Sequence, residues 1–368
     1  MRIGQVSMCG DNYGACLQAL ALQYILKKNG NDVEFICYNQ VNSRASIGTL
    51  GKMRSLGFMG LIRYFSEYSY IRNRKDAYRN FRKKFITRSS NTYNQASIYQ
   101  NLNATYDKFI CGSDMIWSEE FQEDWDFYFL KFAAKEKSFS YAPSFGKNSL
   151  ENENKNRVAA YLQDFSKVTC REEGGVNLIK SISNIPAKQV LDPTMLLDQS
   201  EWNKIIDSKD RLIKEPYVFM YLFGKSDSYW NRYVQEIERK YGKAYKLPSC
   251  KKESRNFPID SIGPIEYMRL FRDAEFVITN TFHGLMFSMI FNKQFVVLDR
   301  TDASKWAKYS DRMTSTLEMF GLTDRYLFAN KTSTTELNTI NYQIVNEKIQ
   351  EKRRESLDYL CEIVGSDK

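Results

Sequence analysis

Residues 3–38, IGQVSMCGDNYGACLQALALQYILKKNGNDVEFICY, decide the fold. The apolar, β-prone IGQVSM (3–8) is broken by CGDN (9–12), after which Leu17, Leu20, Ala21, Tyr24 and Ile25 recur at helical spacing. Gly30 and Asn31 stop that helix, and VEFICY (33–38) resumes extended chain. Strand, helix and strand in this order predict a βαβ opening, and therefore a parallel sheet with helices on its faces.

The same rhythm runs on. Strands are expected in YDKFICGSD (106–114), KSFSYAPSFG (137–146), VTCREE (168–173) and QVLDPTMLL (189–197), with a helix in GVNLIKSIS (175–183). A second βα run follows: strand YVFMYLFG (217–224), helix Tyr229–Tyr241, strand AYKLPS (244–249), helix GPIEYMRLFRDA (263–274). EFVITN (275–280) then leads into TFHGLMFSMIF (281–291) and out to QFVVLD (294–299). A chain of 368 residues exceeds what one core usually holds. Two doubly wound α/β domains are expected, 1–198 and 199–368, facing across a cleft, with a final helix near Tyr342–Val364 crossing back to the first.

Seven scattered cysteines without a CxxC pair read as reduced core thiols of a cytosolic protein. With His283 as the only histidine, no metal site is expected. The N-terminus lacks the apolar core of a signal peptide, and YVFMYLF is far short of a membrane span, so a soluble protein is expected. The net charge of +9 is concentrated: residues 52–88 carry eleven Lys or Arg against Glu67 and Asp76, a surplus of nine. Eight aromatics, from Phe58 to Phe85, are interleaved with them. Such a basic, aromatic helical insertion suits an anionic membrane surface or a lipid diphosphate, or else a solvated face whose aromatics pack inward. No nucleic-acid recognition motif accompanies it.

In doubly wound sheets ligands bind beyond the carboxyl ends of the strands. Three segments end strands in this way. In CGDNYGA (9–15) the helix begins near Gly14, and its free amides suit an anion; Asn12 or Asp11 is either part of that site or simply the helix cap. In ICGSDMIW (110–117) Ser113 and Asp114 bring a hydroxyl and a carboxylate to a strand tip, with Trp117 either stacking on a sugar or lying in the core. In ITNTFHG (278–284) His283 opens an apolar helix, as a proton donor or anion partner or as a structural imidazole. Arg171 in TCREE (169–173) offers a planar fork to a carboxylate or phosphate, or forms a salt bridge with Glu172 or Glu173. Walker, GxGxxG, GxSxG and HExxH motifs do not occur.

Taken in order, DNYGACLQALALQYILKKNG (11–30), FICGSDMIW (109–117), CREEGGVNLIK (170–180), VLDPTMLL (190–197) and GPIEYMRLFRDAEFVITNTFHGLMFSMIFNKQFVVL (263–298) resemble the polysaccharide pyruvyl transferase family. The resemblance implies a GT-B-like pair of Rossmann-like domains. It also implies transfer of a pyruvyl group from phosphoenolpyruvate to a hexose of a bacterial surface polysaccharide or its lipid-linked precursor, giving a pyruvate ketal and phosphate without a further cofactor. His283 matches the family histidine as acid or phosphate partner; many members carry Arg two residues earlier, where this chain has Thr281. Asp114 is the expected base, Arg171 and Lys225 the expected clamps on the donor, and Asn12, Gly14, Ser113 and Thr281 complete the substrate cleft. An acceptor carried on polyprenyl diphosphate would give the basic segment a role at the inner membrane face. The competing readings are a glycosyltransferase using a nucleotide sugar and a non-catalytic glycan assembly protein.

Overall fold

A computed structural model describes residues 1–40, 58–99, 102–224, 228–249, 251–254, 256–259, 261–299, 311–328 and 337–364. Helices of eight residues or more are numbered below. The first lobe opens with strand β1 (Arg2–Val6), helix α1 (Tyr13–Lys28) and strand β2 (Asp32–Tyr38). Helix α2 (Phe58–Phe85), strands β3 (Arg88–Tyr93), β4 (Lys108–Cys111) and β5 (Ser138–Ser140), and helix α3 (Asn152–Leu162) follow. Strand β6 (Val168–Cys170), helix α4 (Glu173–Ile182) and strand β7 (Ala187–Gln189) close this part. Its main sheet has the order β3-β2-β1-β4-β5, with β6-β7 as a parallel pair tied to β5 by a Phe139–Lys167 bridge. Register along β1 pairs Ile3 with Val33 on one side and with Lys108 on the other.

Helix α5 (Gln199–Ile206) starts with a capping box in which Asp198 and Glu201 satisfy each other's backbone amides. The second sheet, β12-β11-β10-β8-β9, is built from β8 (Tyr217–Tyr221), β9 (Lys243–Lys246), β10 (Phe276–Thr279), β11 (Gln294–Leu298) and β12 (Tyr326–Leu327). Between these strands run α6 (Ser228–Tyr241), α7 (Pro264–Asp273), α8 (Phe282–Ile290) and α9 (Asp311–Phe320); α10 (Tyr342–Val364) ends the described chain. All pairings within both sheets are parallel, as βα alternation requires.

One expected strand is different. In QVLDPTMLL the sheet stops at Gln189, and Pro193–Leu196 forms a 3-10 turn capped by the Asp192 side chain. Pro193 fixes φ and lacks the amide a ladder needs, so it starts a turn where a strand would fail.

Helix α1 is buried nearly all round, from Tyr13 to Gln23 and again at Ile25 and Leu26. A helix apolar on every side belongs inside a core. Its leucines share one continuous apolar core with Tyr267, Phe271, Leu285 and Phe287 of the second lobe. At roughly 2–3 kcal/mol per buried leucine side chain, this shared core holds the lobes together. Helix α10 returns to the first lobe: Arg353 Nε donates to the Met195 carbonyl (2.7 Å), Ser356 Oγ accepts from the Leu191 amide (3.0 Å), and Lys167 pairs with Glu362 (2.6 Å).

On helix α2 several aromatics pack inward, although Tyr68 is exposed. Tyr78 and Phe81 are buried, Tyr70 donates to the Pro248 carbonyl of the second lobe (3.0 Å), and Arg74 lies over the Tyr13 and Tyr78 rings. Arg72, Lys75, Arg79, Lys83 and Lys84 are exposed. The inward packing of aromatics and the outward array of cations therefore coexist on one helix. Residues 52–57 of the basic segment, and the side chains of 58–66 with Phe58, Tyr64 and Phe65, lie outside the described residues. Among the described residues no helix is long and apolar enough to cross a membrane.

Candidate functional site

A cavity of about 840 Å³ opens where the carboxyl ends of both sheets meet. From the first lobe it is walled by Gly10, Asn12, Gly14, Asp114, Tyr38 and Arg88, and from the second by Tyr221, Phe223, Thr281, His283 and Arg312.

Its centre is the contact between α1 and α8. Thr281 caps α8, its hydroxyl accepting from the Gly284 amide (3.0 Å) and lying 3.0 Å from the Thr279 hydroxyl. The cap aims His283 at the first turn of α1. A Cβ at Gly14 would stand 2.0 Å from His283 Nδ1, so only glycine admits the imidazole there. Asn12 caps α1, accepting from the Ala15 amide at 3.1 Å. The capping role foreseen as the alternative for Asn12 is thus the one its side chain performs, and Asn12 still lines the cavity.

The other ring nitrogen of His283 faces Asp192, with Nε2 3.6 Å from Oδ2. Asp192 is fully buried. Its Oδ1 accepts from the Thr194 amide (3.0 Å) and hydroxyl (2.7 Å), and its Oδ2 from Arg171 Nη1 (3.1 Å). Burial alone would raise this carboxyl; His283, Arg171 and the Thr194 amide outweigh it and hold Asp192 below the usual carboxylate range.

Arg171 is not in the cavity wall. Its guanidinium is buried against Asp192, with Nε 3.7 Å from Glu172, and stacks 4.1 Å above the Phe282 ring of the second lobe. Burial lowers and the neighbouring carboxylates of Asp192, Glu172 and Asp114 raise its pKa, with a net rise. The expected direct clamp is instead a support behind His283, because a guanidinium this deep needs a fixed carboxylate partner. Ser113 is also buried: its hydroxyl donates to the Ala142 carbonyl (2.8 Å) and lies 3.2 Å from Asp192 Oδ2, while its amide donates to Gln18 (3.0 Å). The expected substrate contact at Ser113 is replaced by this structural one. Thr281 lines the cavity with its hydroxyl committed to the helix cap. Lys225 lies outside the described residues.

Asp114 does face the cavity. Gly112 at φ 122° makes the turn before it; a Cβ there would meet the Tyr141 carbonyl oxygen at 2.0 Å. Asp114 itself takes φ 71°, a left-handed conformation that aspartate tolerates, and its Oδ1 accepts from the Met115 amide (2.9 Å). Trp117 is fully buried and stacked on Phe129 at 4.8 Å, so it belongs to the core and not to a sugar platform.

Asp192, Arg312, Arg88 and Gln18 were not singled out by the sequence. Arg312 sits 5.5 Å over the Phe282 ring and lines the cavity beside His283. Gln18 joins strand tips, donating to the Ser7 hydroxyl (2.9 Å) while accepting from Ser113. The one readable signal was Asp-Pro at 192–193, a turn-capping pair. Among the described residues no group of three His, Cys, Asp or Glu is placed to hold a metal ion.

Two Rossmann-like sheets with their shared cavity at the seam define a protein of the GT-B type. Solved structures with this fold include a UDP-GlcNAc 2-epimerase from Neisseria meningitidis bound to UDP-GlcNAc, 11% identical with 100% of each chain covered and a TM-score of 0.50. A Listeria monocytogenes protein described as a UDP-N-acetylglucosamine 2-epimerase is 9% identical, covering 97% of this chain and 89% of that one, with a TM-score of 0.51. At such identities the likeness is one of fold. No curated protein sequence matches the chain. The model of the polysaccharide pyruvyl transferase family matches residues 12–302, and the chain belongs to that family.

Proposed function

We propose that the protein transfers a pyruvyl group from phosphoenolpyruvate to two hydroxyls of one hexose in a bacterial surface polysaccharide or its polyprenyl-diphosphate-linked precursor, releasing phosphate. The observation that carries this reading is the meeting of His283 with the start of α1 at Gly14, in one cavity with Asp114, Arg88 and Arg312. The free amides of a helix start and two guanidinium groups suit a small, multiply charged anion, and the imidazole beside them suits proton transfer to it. Lys225 remains a further proposed clamp.

The chemistry runs in two stages. His283 protonates the methylene carbon of phosphoenolpyruvate, leaving an oxygen-stabilised cation at the adjacent carbon. A sugar hydroxyl adds there and gives its proton to Asp114. Phosphate then departs, the second hydroxyl adds, and the ketal closes. One of the two hydroxyl protons balances the new methyl group and the other leaves with phosphate. No redox cofactor takes part. The exposed cations of α2 support docking at an anionic membrane where a lipid-linked acceptor would lie.

Incubating the protein with phosphoenolpyruvate and lipid-linked sugar fractions should release phosphate and add a ketal to the acceptor's mass. His283→Ala should lower that release at least about 100-fold while the circular dichroism spectrum is unchanged. Consumption of a nucleotide sugar with no requirement for phosphoenolpyruvate would replace this reading by glycosyl transfer. No turnover of either donor, with a His283→Ala strain that still makes its glycan, would mark a non-catalytic assembly role.

A further inference from the structure

We propose that Asp192 is the positioning residue of His283, pairing with it across the seam between the lobes so that Nδ1 is the ring nitrogen that exchanges protons with the cavity. The inference rests on the reading of His283 as the acid. It begins from where the two residues lie. Asp192 belongs to the turn that follows β7 in the first lobe, and His283 to the first turn of α8 in the second. They are 91 positions apart in sequence (283 − 192), and Nε2 and Oδ2 stand 3.6 Å apart.

The imidazole has little freedom to present another face. On the Nδ1 side it lies against Gly14, close enough that a single added carbon would stand 2.0 Å from that nitrogen. On the Nε2 side stands a carboxylate that cannot rotate away. Its Oδ1 is occupied by the Thr194 amide and hydroxyl, and its Oδ2 is held by Arg171, with the Ser113 hydroxyl 3.2 Å away. The oxygen presented to His283 is therefore fixed, and it is an acceptor. A hydrogen on Nε2 faces that acceptor, which leaves Nδ1 toward Gly14, a residue that also lines the cavity. The separation of 3.6 Å is an ion-pair distance longer than a hydrogen bond, and Nε2 has no hydrogen-bond partner among the described residues. Catalytic pairs of this kind tighten when substrate is bound. Because each partner comes from a different lobe, the pair exists only while the lobes are docked as seen here, so lobe docking and readiness of the acid are one event.

His283 is the only histidine of the chain, so an untagged full-length protein labelled with ring ¹⁵N-histidine reports this site alone. The neutral ring should carry its hydrogen on Nε2. In Asp192→Ala no acceptor faces Nε2, and the neutral ring should lose its preference for hydrogen on that nitrogen. With phosphoenolpyruvate as donor, kcat of this variant should fall on the order of 10³–10⁴-fold with little change in KM. A wild-type ring protonated on Nδ1, or an Asp192→Ala ring that keeps the wild-type tautomer, overturns the proposal. The wild-type measurement decides alone if the variant does not fold. A ring that behaves as described in a protein that does not turn over phosphoenolpyruvate upholds the pairing and removes the donor.

Discussion

A methyl group at Gly14 would stand 2.0 Å from His283 Nδ1, and the ring has Asp192 on its other side, so the imidazole must leave its place to admit it. Gly14→Ala should therefore cost about 1–3 kcal/mol in urea denaturation and reduce phosphate release far more than that loss of stability explains. The buried Arg171–Asp192 pair behaves differently from the exposed one between Arg79 and Asp76. Arg171→Met, which strands a buried carboxylate, should destabilise by about 3–5 kcal/mol, and Arg79→Met by no more than about 1 kcal/mol. The sign of the pH effect follows from the lowered Asp192 pKa. A carboxylate depressed in the folded state contributes fully above its unfolded value of about 3.9 and loses that contribution as pH falls toward its folded value. The stability difference between wild type and Asp192→Asn should thus shrink from about pH 5 to pH 3.5. A constant difference over that range would show that folding leaves the Asp192 pKa unshifted, and a difference that grows as pH falls would show a carboxyl kept neutral in the fold.

Helix α2 has two faces, one packed against the protein and one carrying exposed cations, and substitutions should separate what each contributes. Neutralising the exposed Arg72, Lys75, Arg79, Lys83 and Lys84 should weaken binding to phosphatidylserine vesicles by up to about 1 kcal/mol per charge while leaving the melting temperature nearly unchanged. The binding that remains in wild type should fall as salt rises. Arg74 is excluded from that set because its guanidinium lies over Tyr13 and Tyr78, where its loss acts on packing. Vesicle binding unaltered by the five changes would leave α2 as a strap between lobes and nothing more. The expectation of a basic, aromatic segment was correct as composition, but helical periodicity did not separate Arg74, which faces inward, from Arg72, which faces out.

The lobes are joined too extensively to move as loosely tethered units. Tyr13 of α1 stacks on Tyr267 of α7 with ring centroids 4.5 Å apart and planes 3° from parallel, and its hydroxyl donates to the Ile262 carbonyl (3.0 Å). Helix α10 and the shared apolar core add two more connections. Calorimetry should show one unfolding transition for both lobes. Tyr13→Ala, which removes about 3–5 kcal/mol of packing at the seam, combined with truncation before Tyr342, should split it into two.

The order of strands and helices was written locally: apolar spacing, glycine stops and capping residues act within a few positions, so β1, α1, β2, α8 and α10 were readable directly. The strand-tip segments around Gly14, Asp114 and His283 were readable for the same reason, since a parallel sheet places such tips at one edge. What folding alone decided is which groups meet and which lose water. Desolvation and pairing depend on neighbours supplied from remote parts of the chain, and nothing near position 171 or 192 encodes the depth at which Arg171 and Asp192 lie. The requirement for glycine at position 14 is of the same origin, because the atom it makes room for arrives from 269 positions further along (283 − 14).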